Sequence, residues 1–191
     1  MLEPKEARAL IDSIDVMTHA GLRDRALIAL MVYSFARIGA ALGMKVEDVF
    51  TQNRRQRVRP REKGGKPHAM PCHHNLETYL TAYIDGAGLA GDPKGPLFAT
   101  IGRARHGLAD ANPLPSRNAH AMIRRRAAAA GIMTQLGNHS FGATGITADL
   151  KKGGTMEKAA QMANHASTRT TQLYDRRREE LSLDEVERMG V

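Results

Sequence analysis

An uncharged, mainly apolar run from Ala26 to Ala36 sets the strongest limit on how this chain folds. A transmembrane helix needs roughly 20 apolar residues, so the run is too short to cross a bilayer. We predict a helix from about Arg23 to Ala36 that is apolar nearly all round, which is typical of a helix at the centre of a core. A chain of 191 residues can build such a core, and we expect one domain over residues 1–191.

The remaining pattern predicts a mainly α-helical protein with a small antiparallel β-sheet, an α+β fold. Apolar spacing and capping residues predict further helices at about 4–18, 76–84 and 116–130, and from residues 140, 155, 167 and 182. Two or three short strands are predicted between Val46 and Pro71, with a turn at Gly64–Gly65. Residues 86–115 are rich in Gly and Pro, so we expect irregular structure with one short strand near Leu97.

Two of these helices carry specific expectations. The first places Ala7, Leu10, Ile11, Ile14 and Met17 at helical spacing and is predicted to end at Gly21. The helix at 116–130 is predicted to end at Gly131. Its predicted inward residues are Ala119, Met122, Ile123 and Ala127.

The charge balance favours a polyanionic partner. Lysine and arginine number 28 against 20 aspartates and glutamates, a net charge of +8 with histidine neutral. Aromatic residues make up only 4% of the chain and Trp is absent, which argues against recognition of single strands by stacking. A double helix bound through its phosphates fits better. The single cysteine, Cys72, and the absence of an apolar segment in residues 1–6 favour a cytoplasmic protein with no membrane partner.

A basic segment follows the predicted first strand. Seven of the thirteen residues from Arg54 to Lys66 are basic, and only Glu62 is acidic. Because side chains alternate between the faces of a strand, every second residue shares one face. This basic row consists of Arg55, Arg57, Arg59, Arg61 and Lys63. The row is either a solvated strand edge or a set of phosphate contacts.

Four single residues are further candidates for a functional role. Arg37 directly follows the apolar run, so its guanidinium either extends to the surface or binds an anion. His139 and His165 are each either structural or proton-transfer groups. Tyr174 follows His165 by nine residues.

A metal site is the alternative for the histidine-rich segment at Cys72, His73 and His74, together with His68. The segment lacks the helical i,i+4 His pair and the second Cys pair that zinc sites use. We therefore expect no metal. The glycines form neither a Walker loop nor a Gly-x-Ser-x-Gly motif.

The order of these segments resembles the catalytic domain of the tyrosine recombinases, the phage integrase family. Residues 22–48 look like the family's first box, with Arg37 at its catalytic arginine. Residues 62–71 look like its β-hairpin, with Lys63 at the catalytic lysine. Residues 139–141 open the second box at His139. Residues 163–174 resemble the third box, with His165 near its start and the nucleophile Tyr174 at its end.

The resemblance implies site-specific recombination or integration of double-stranded DNA without a cofactor. Tyr174 would attack a phosphodiester and form a 3′-phosphotyrosyl link, freeing a 5′-hydroxyl. Arg37 would stabilise charge on the non-bridging oxygens. Lys63 would protonate the leaving oxygen, with Lys66 as the alternative and as a DNA contact. The two histidines would hold the phosphate and assist proton transfer.

Two positions depart from the family pattern. The second box has His-x-x-Arg in the family, but Gly142 stands at the arginine position here. Many members carry an acid three residues after the first arginine, where this chain has Ala40. Gly142 is explained by degeneracy, by deliberate inactivation to trap bound DNA, or by rescue from another cation; the candidates for rescue are Arg124, Arg125 and Arg126. A non-catalytic DNA-binding remnant and a type IB topoisomerase-like relaxase are the alternative functions.

The resemblance also implies an assembly. Family members usually have an amino-terminal core-binding domain that holds the other side of the duplex, and we expect that domain to be absent from this chain. They act as tetramers on DNA, so a homo-oligomer is expected, in the cytoplasm and associated with the bacterial nucleoid. The segment from Ser182 to Val191 is expected to pack either on its own domain or on a neighbouring subunit.

Overall fold

The computed structural model describes residues 2–61, 68–101, 109–137, 140–165 and 167–173, with the backbone alone at 109–111. This part of the chain is mainly helical with small antiparallel sheets, as predicted. Its helices are α1 (Pro4–Asp12), α2 (His19–Ser34), α3 (Ile38–Leu42), α4 (His74–Gly86), α5 (Ser116–Ala129), α6 (Ser140–Lys151), α7 (Met156–Met162) and α8 (Thr168–Gln172). Its strands are β1 (Val49–Gln52), β2 (Arg55–Val58), β3 (Met70–Pro71), β4 (Ala99–Ile101) and β5 (Ala109–Pro113). Short 3₁₀ turns lie at Val46–Asp48 and Leu89–Gly91.

Helix α2 is the centre of the core, as the apolar run predicts. It packs against α1, α3, α4, α5 and α6, and Leu27, Ile28 and Leu30 are fully buried. The helix begins earlier than predicted because the Thr18 hydroxyl caps it, accepting a hydrogen bond from the Gly21 N–H at 3.0 Å.

The first helix is shorter than predicted. It begins at Pro4, whose missing N–H suits the first turn, and the Glu3 N–H donates to the Glu6 carboxylate at 2.8 Å. It ends at Asp12, so the prediction that it extends to Thr18 and ends at Gly21 is wrong. Gly21 lies inside α2, where a Cβ would collide with the Asp15 carbonyl. Met17 is 89% exposed and does not join the core.

The larger sheet has the order β1-β2-β3, with both pairs antiparallel. Asn53 and Arg54 form the two-residue turn between β1 and β2 with φ of 51° and 62°, the left-handed geometry that suits a tight hairpin. Val58 and Met70 are paired across β2 and β3 and are buried against the core.

A second hairpin, β4–β5, lies where one strand near Leu97 was predicted. Leu97 itself is fully buried and precedes the strand. The sequence signal for β5 is weak because that strand ends in Asn112-Pro113.

The carboxy-terminal helices agree with their predicted positions. The four residues predicted to face inward on α5 are all buried, and Gly131 follows that helix with a φ of 70°. The hydroxyls of Thr155 and Ser167 cap α7 and α8. The helix predicted from Ser182 lies outside the described residues. Within the described ranges, no helix has the length and apolar character needed to cross a membrane.

Candidate functional site

Arg37 lies on a sharp turn between α2 and α3. The preceding Phe35 adopts a left-handed conformation with φ 58° and ψ 12°, which is unusual for a residue with a side chain. Ser34 is the last residue of α2, and its hydroxyl donates to the Leu30 carbonyl at 2.6 Å. Phe35 and Ala36 are buried, while Arg37 is exposed at the N-cap of α3. The buried turn therefore presents the arginine side chain at the surface.

Helix α6 approaches this turn very closely. A Cβ at Gly145 would lie 2.5 Å from the Phe35 ring and would also collide with the Val32 carbonyl. Only glycine at this position allows the two segments to pack as they do. A Cβ at Gly142 would lie 3.2 Å from the Phe35 carbonyl oxygen. The position where the family has its second arginine therefore lies against the turn that carries Arg37.

His165 lies between α7 and α8. Its N–H donates to the Ala160 carbonyl at 2.9 Å, after Asn164 turns the chain with a φ of 51°. Its Nδ1 is 2.9 Å from the hydroxyl of Thr171, which is fully buried on α8. This contact orients the imidazole relative to the helix that leads towards Tyr174.

One small apolar cluster connects the segments that carry these residues. We call it the Phe35 cluster; its buried members are Phe35, Ile146, Leu150, Ala159 and Ala163. Phe35 is two residues before Arg37, and Ala163 is two residues before His165. Ile146 and Leu150 belong to α6, whose first residue follows His139 in the sequence, and Ala159 belongs to α7. Arg37, position 142 and His165 are thus held on segments that share one packing centre.

The described part of the basic row, residues 55–61, divides into two pairs. Arg55 and Arg57 lie on β2, on the face opposite the buried Val58. Arg57 donates from Nη2 to the Ala69 carbonyl at 2.8 Å, and its buried Nε has no hydrogen-bond partner among the residues that the structure describes. Arg59 and Arg61 follow the end of the strand, where both bind the carboxylate of Asp48.

Several predicted site residues lie outside the described part of the chain. They are Lys63, Lys66, His139 and Tyr174. Their assignment remains a prediction from the sequence.

The arginines offered as substitutes for the missing cation are placed differently from one another. Arg126 forms two hydrogen bonds, at 2.8 and 3.0 Å, to the fully buried carboxylate of Asp24. Its guanidinium is therefore bound to a carboxylate on the central helix. Arg124 and Arg125 lie exposed on α5.

The histidine-rich segment has a structural role in the fold. His73 caps α4 by accepting a hydrogen bond from the Asn75 N–H at 3.2 Å, and its ring stacks on Tyr33 with centroids 4.4 Å apart. Burial, followed by the charges of His74, Lys152 and Arg8, lowers its pKa. Burial raises the pKa of the Cys72 thiol to about 12. Among the described residues, no group of three or more His, Cys, Asp or Glu side chains could hold a metal ion.

Two residues near the site were missed from the sequence. Asp48 has one local signal, its spacing of three residues from Lys45, whose N–H it accepts at 2.8 Å. Thr171 lies inside the third box, but nothing in its spacing indicates that its hydroxyl meets His165. Neither position indicates its distant partners, which are Arg59 and Arg61 for Asp48 and His165 for Thr171.

Two relatives found by sequence comparison are both tyrosine recombinases. Tyrosine recombinase XerD of Corynebacterium glutamicum is 30% identical over 176 residues, covering 91% of this chain and 55% of that protein. Tyrosine recombinase XerC of Nitrobacter winogradskyi is 30% identical over 152 residues, covering 80% of this chain and 45% of that protein. This chain thus spans about half the length of the curated relatives it matches.

Two solved structures have a fold similar to that of this chain. The crystal structure of XerA recombinase has a TM-score of 0.74 at 25% identity, covering 98% of this chain and 62% of that chain. The post-cleavage complex of XerH recombinase with palindromic difH substrate has a TM-score of 0.75 at 22% identity, covering 94% of this chain and 51% of that chain. The family model described as the phage integrase family matches residues 1–180. On this evidence the chain belongs to the phage integrase family, the tyrosine recombinases.

Proposed function

We propose that this chain carries the catalytic centre of a site-specific DNA recombinase that acts on double-stranded DNA. The observation that supports the proposal most is the Phe35 cluster, which holds the segments of Arg37, position 142 and His165 around one packing centre. A phosphate bound there would meet an exposed guanidinium and an oriented imidazole.

The proposed reaction is a reversible transesterification. The Tyr174 oxygen forms a bond to phosphorus, and the bond from phosphorus to the 5′ oxygen breaks. A proton passes from the Lys63 ammonium to that leaving oxygen, and a histidine, His139 or His165, accepts the phenol proton. Arg37 stabilises the charge that develops on the non-bridging oxygens. The phosphotyrosyl bond conserves the energy of the phosphodiester, so no cofactor is needed.

The duplex is proposed to lie along the β1–β2 hairpin, whose second strand carries Arg55 and Arg57. Arg55 and Arg57 project from one face of β2 and would contact phosphates, together with Lys66. By family resemblance the active assembly is a homotetramer on DNA in the cytoplasm.

A non-catalytic DNA-binding role is the second candidate, and Gly142 is the observation that favours it. Removing one donor that stabilises a transition state costs on the order of 10²–10³ in rate. With Arg126 bound to Asp24, that arginine does not compensate for the loss.

The test begins with duplexes selected from a randomised pool by binding to this protein. Each is then nicked so that cleavage releases a short oligonucleotide and traps the covalent adduct, which a denaturing gel resolves. We expect an adduct that is lost in Tyr174→Phe and that forms about 10²–10³ times faster in Gly142→Arg.

Three other outcomes separate the alternatives. Binding without an adduct from either the native protein or Gly142→Arg would reject the catalytic proposal and leave the DNA-binding role. Relaxation of a supercoiled plasmid that lacks the selected site would indicate a topoisomerase-like activity instead. Failure to select any duplex sequence would reject site-specific recognition by this chain.

A further inference from the structure

Asp48 is a fully buried residue at the base of the β1–β2 hairpin. It ends the 3₁₀ turn at Val46–Asp48 and directly precedes β1. A buried carboxylate is costly unless its oxygens are paired. The partners of the Asp48 carboxylate therefore show which neighbouring segments it holds in place.

The partners of the carboxylate are Arg59 and Arg61, which follow the carboxyl end of β2. Arg59 donates from Nε to Oδ1 at 2.9 Å. Arg61 donates from Nε to Oδ2 and from Nη2 to Oδ1, the latter at 3.1 Å. Two parallel bonds of this kind fix the guanidinium in orientation as well as in distance. Burial raises the pKa of the Asp48 carboxyl, but hydrogen bonds from Arg61, the Lys45 N–H and Arg59 outweigh it and hold the pKa below its usual range.

The backbone of the same segment is held on both sides. The Arg59 N–H donates to the Asp48 carbonyl at 2.9 Å, and the Arg61 N–H donates to the Ala40 carbonyl at 3.2 Å. Ala40 belongs to α3, the helix that Arg37 caps. The strand exit is thus tied to the element that follows Arg37.

We infer that Asp48 is a positioning residue that fixes Arg59 and Arg61, the residues that lead along the chain to Lys63, relative to the helix that follows Arg37. Lys63 follows Arg61 by two residues of sequence, so the Asp48–Arg61 pair fixes the residue from which the chain continues to Lys63. This inference rests on the proposed function, in which Lys63 is the general acid. It also gives Arg59 and Arg61 a role other than that of phosphate contacts, because their charge is balanced by Asp48 and, at 3.5 Å from Arg61, by Glu47.

The test compares two substrates that differ in the leaving atom. One is the nicked duplex with its ordinary 5′ oxygen, and the other carries a bridging 5′ sulfur at the same position. A thiol has a pKa of about 8.5, so a thiolate departs without a general acid. Asp48→Asn is expected to cleave the oxygen substrate about 10- to 100-fold more slowly and the sulfur substrate at a rate close to that of the unsubstituted protein. Lys63→Ala should show the same contrast more strongly.

Two further variants make the result interpretable. Asp12→Asn is the matched control, since it makes the same chemical change in an exposed ion pair with Arg8; it should cleave both substrates normally. Arg61→Gln is the milder variant for the site, because the carboxylate keeps Arg59 and the Lys45 N–H. It should show the same substrate contrast with a smaller amplitude.

Amide hydrogen exchange at Arg59 and Arg61 is measured in parallel, because it does not depend on activity. Exchange there should be faster in Asp48→Asn and unchanged in Asp12→Asn. Equal slowing on both substrates would reduce Asp48 to a structural residue and overturn the inference. If neither the unsubstituted protein nor Gly142→Arg cleaves either substrate, the proposed function fails. The anchoring role is then judged by exchange alone, where unchanged protection overturns it.

Discussion

Replacing Asp24 with asparagine is expected to destabilise the fold strongly. Asp24 lies on the central helix and is fully buried. Its Oδ1 accepts hydrogen bonds from Arg23 at 2.8 and 3.1 Å, and its Oδ2 accepts from Arg126 on α5 at 2.8 and 3.0 Å. Arg23 also donates to the Ala99 carbonyl of β4 at 3.1 Å. One carboxylate thus connects a helix, a second helix and a hairpin.

The expected cost follows from what the substitution leaves behind. Asparagine keeps the shape of the side chain but leaves two guanidiniums, 10% and 25% exposed, without a counter-charge. Removing one partner of a buried ion pair typically costs about 3–5 kcal/mol of unfolding free energy. Since each kcal/mol shifts Tm by about 2–4 °C in a domain of this size, we expect a loss of roughly 6–20 °C.

The measurement is urea denaturation followed by helical circular dichroism, with Asp12→Asn as the control. That control removes a half-exposed ion pair with Arg8 and should cost at most about 0.5 kcal/mol. If Asp24→Asn lost less than about 1 kcal/mol, the premise that a buried charge network holds α2, α5 and β4 together would be refuted.

Three other changes test separate parts of the molecule. Gly145→Ala should destabilise the protein by about 1–3 kcal/mol in denaturant titration, because the added methyl overlaps the Phe35 ring, whereas Ala at an exposed helical glycine would stabilise it. Because the pKa of His73 is lowered in the fold, its unfolded form binds a proton first as pH falls below about 6.5; Tm should therefore fall from pH 7 to 5.5, and His73→Asn, which retains the cap, should lose less. Arg55→Gln should lower the slope of log affinity for DNA against log salt by about 1 unit, while Arg8→Gln leaves it unchanged.

Local sequence rules gave most of the helices and the first sheet, but they did not predict α3 and they placed the end of α1 too late. The apolar run located α2, the 3.6-residue spacing gave the buried face of α5, and capping residues located the starts of α7 and α8. These features depend on neighbours within a turn or two, which is the range that spacing reports.

Long-range pairing was beyond those rules. Alternation placed Arg59 and Arg61 on one face of a strand, but it did not indicate that both bind Asp48, which precedes them by 11 and 13 residues. Arg126 meets Asp24 across 102 residues of sequence. A charge pattern predicts which side chains share a face and gives no information on which distant carboxylate approaches that face. The end of α1 was missed for a local reason, because Thr18 caps α2 and does not extend α1.

Gly142 brings the structural and chemical arguments together. A Cβ there would lie 3.2 Å from the Phe35 carbonyl, so an arginine requires the turn to move by a few tenths of an ångström. That turn is itself held in a left-handed conformation by packing of the Phe35 ring against Gly145. Restoring the arginine therefore sets a gain in charge at the phosphate against strain in the segment that presents Arg37. If Gly142→Arg keeps its Tm and gains cleavage, the glycine removes a catalytic charge without any change in packing. If it gains cleavage only with a lowered Tm, the turn at Phe35 has adapted to the smaller residue.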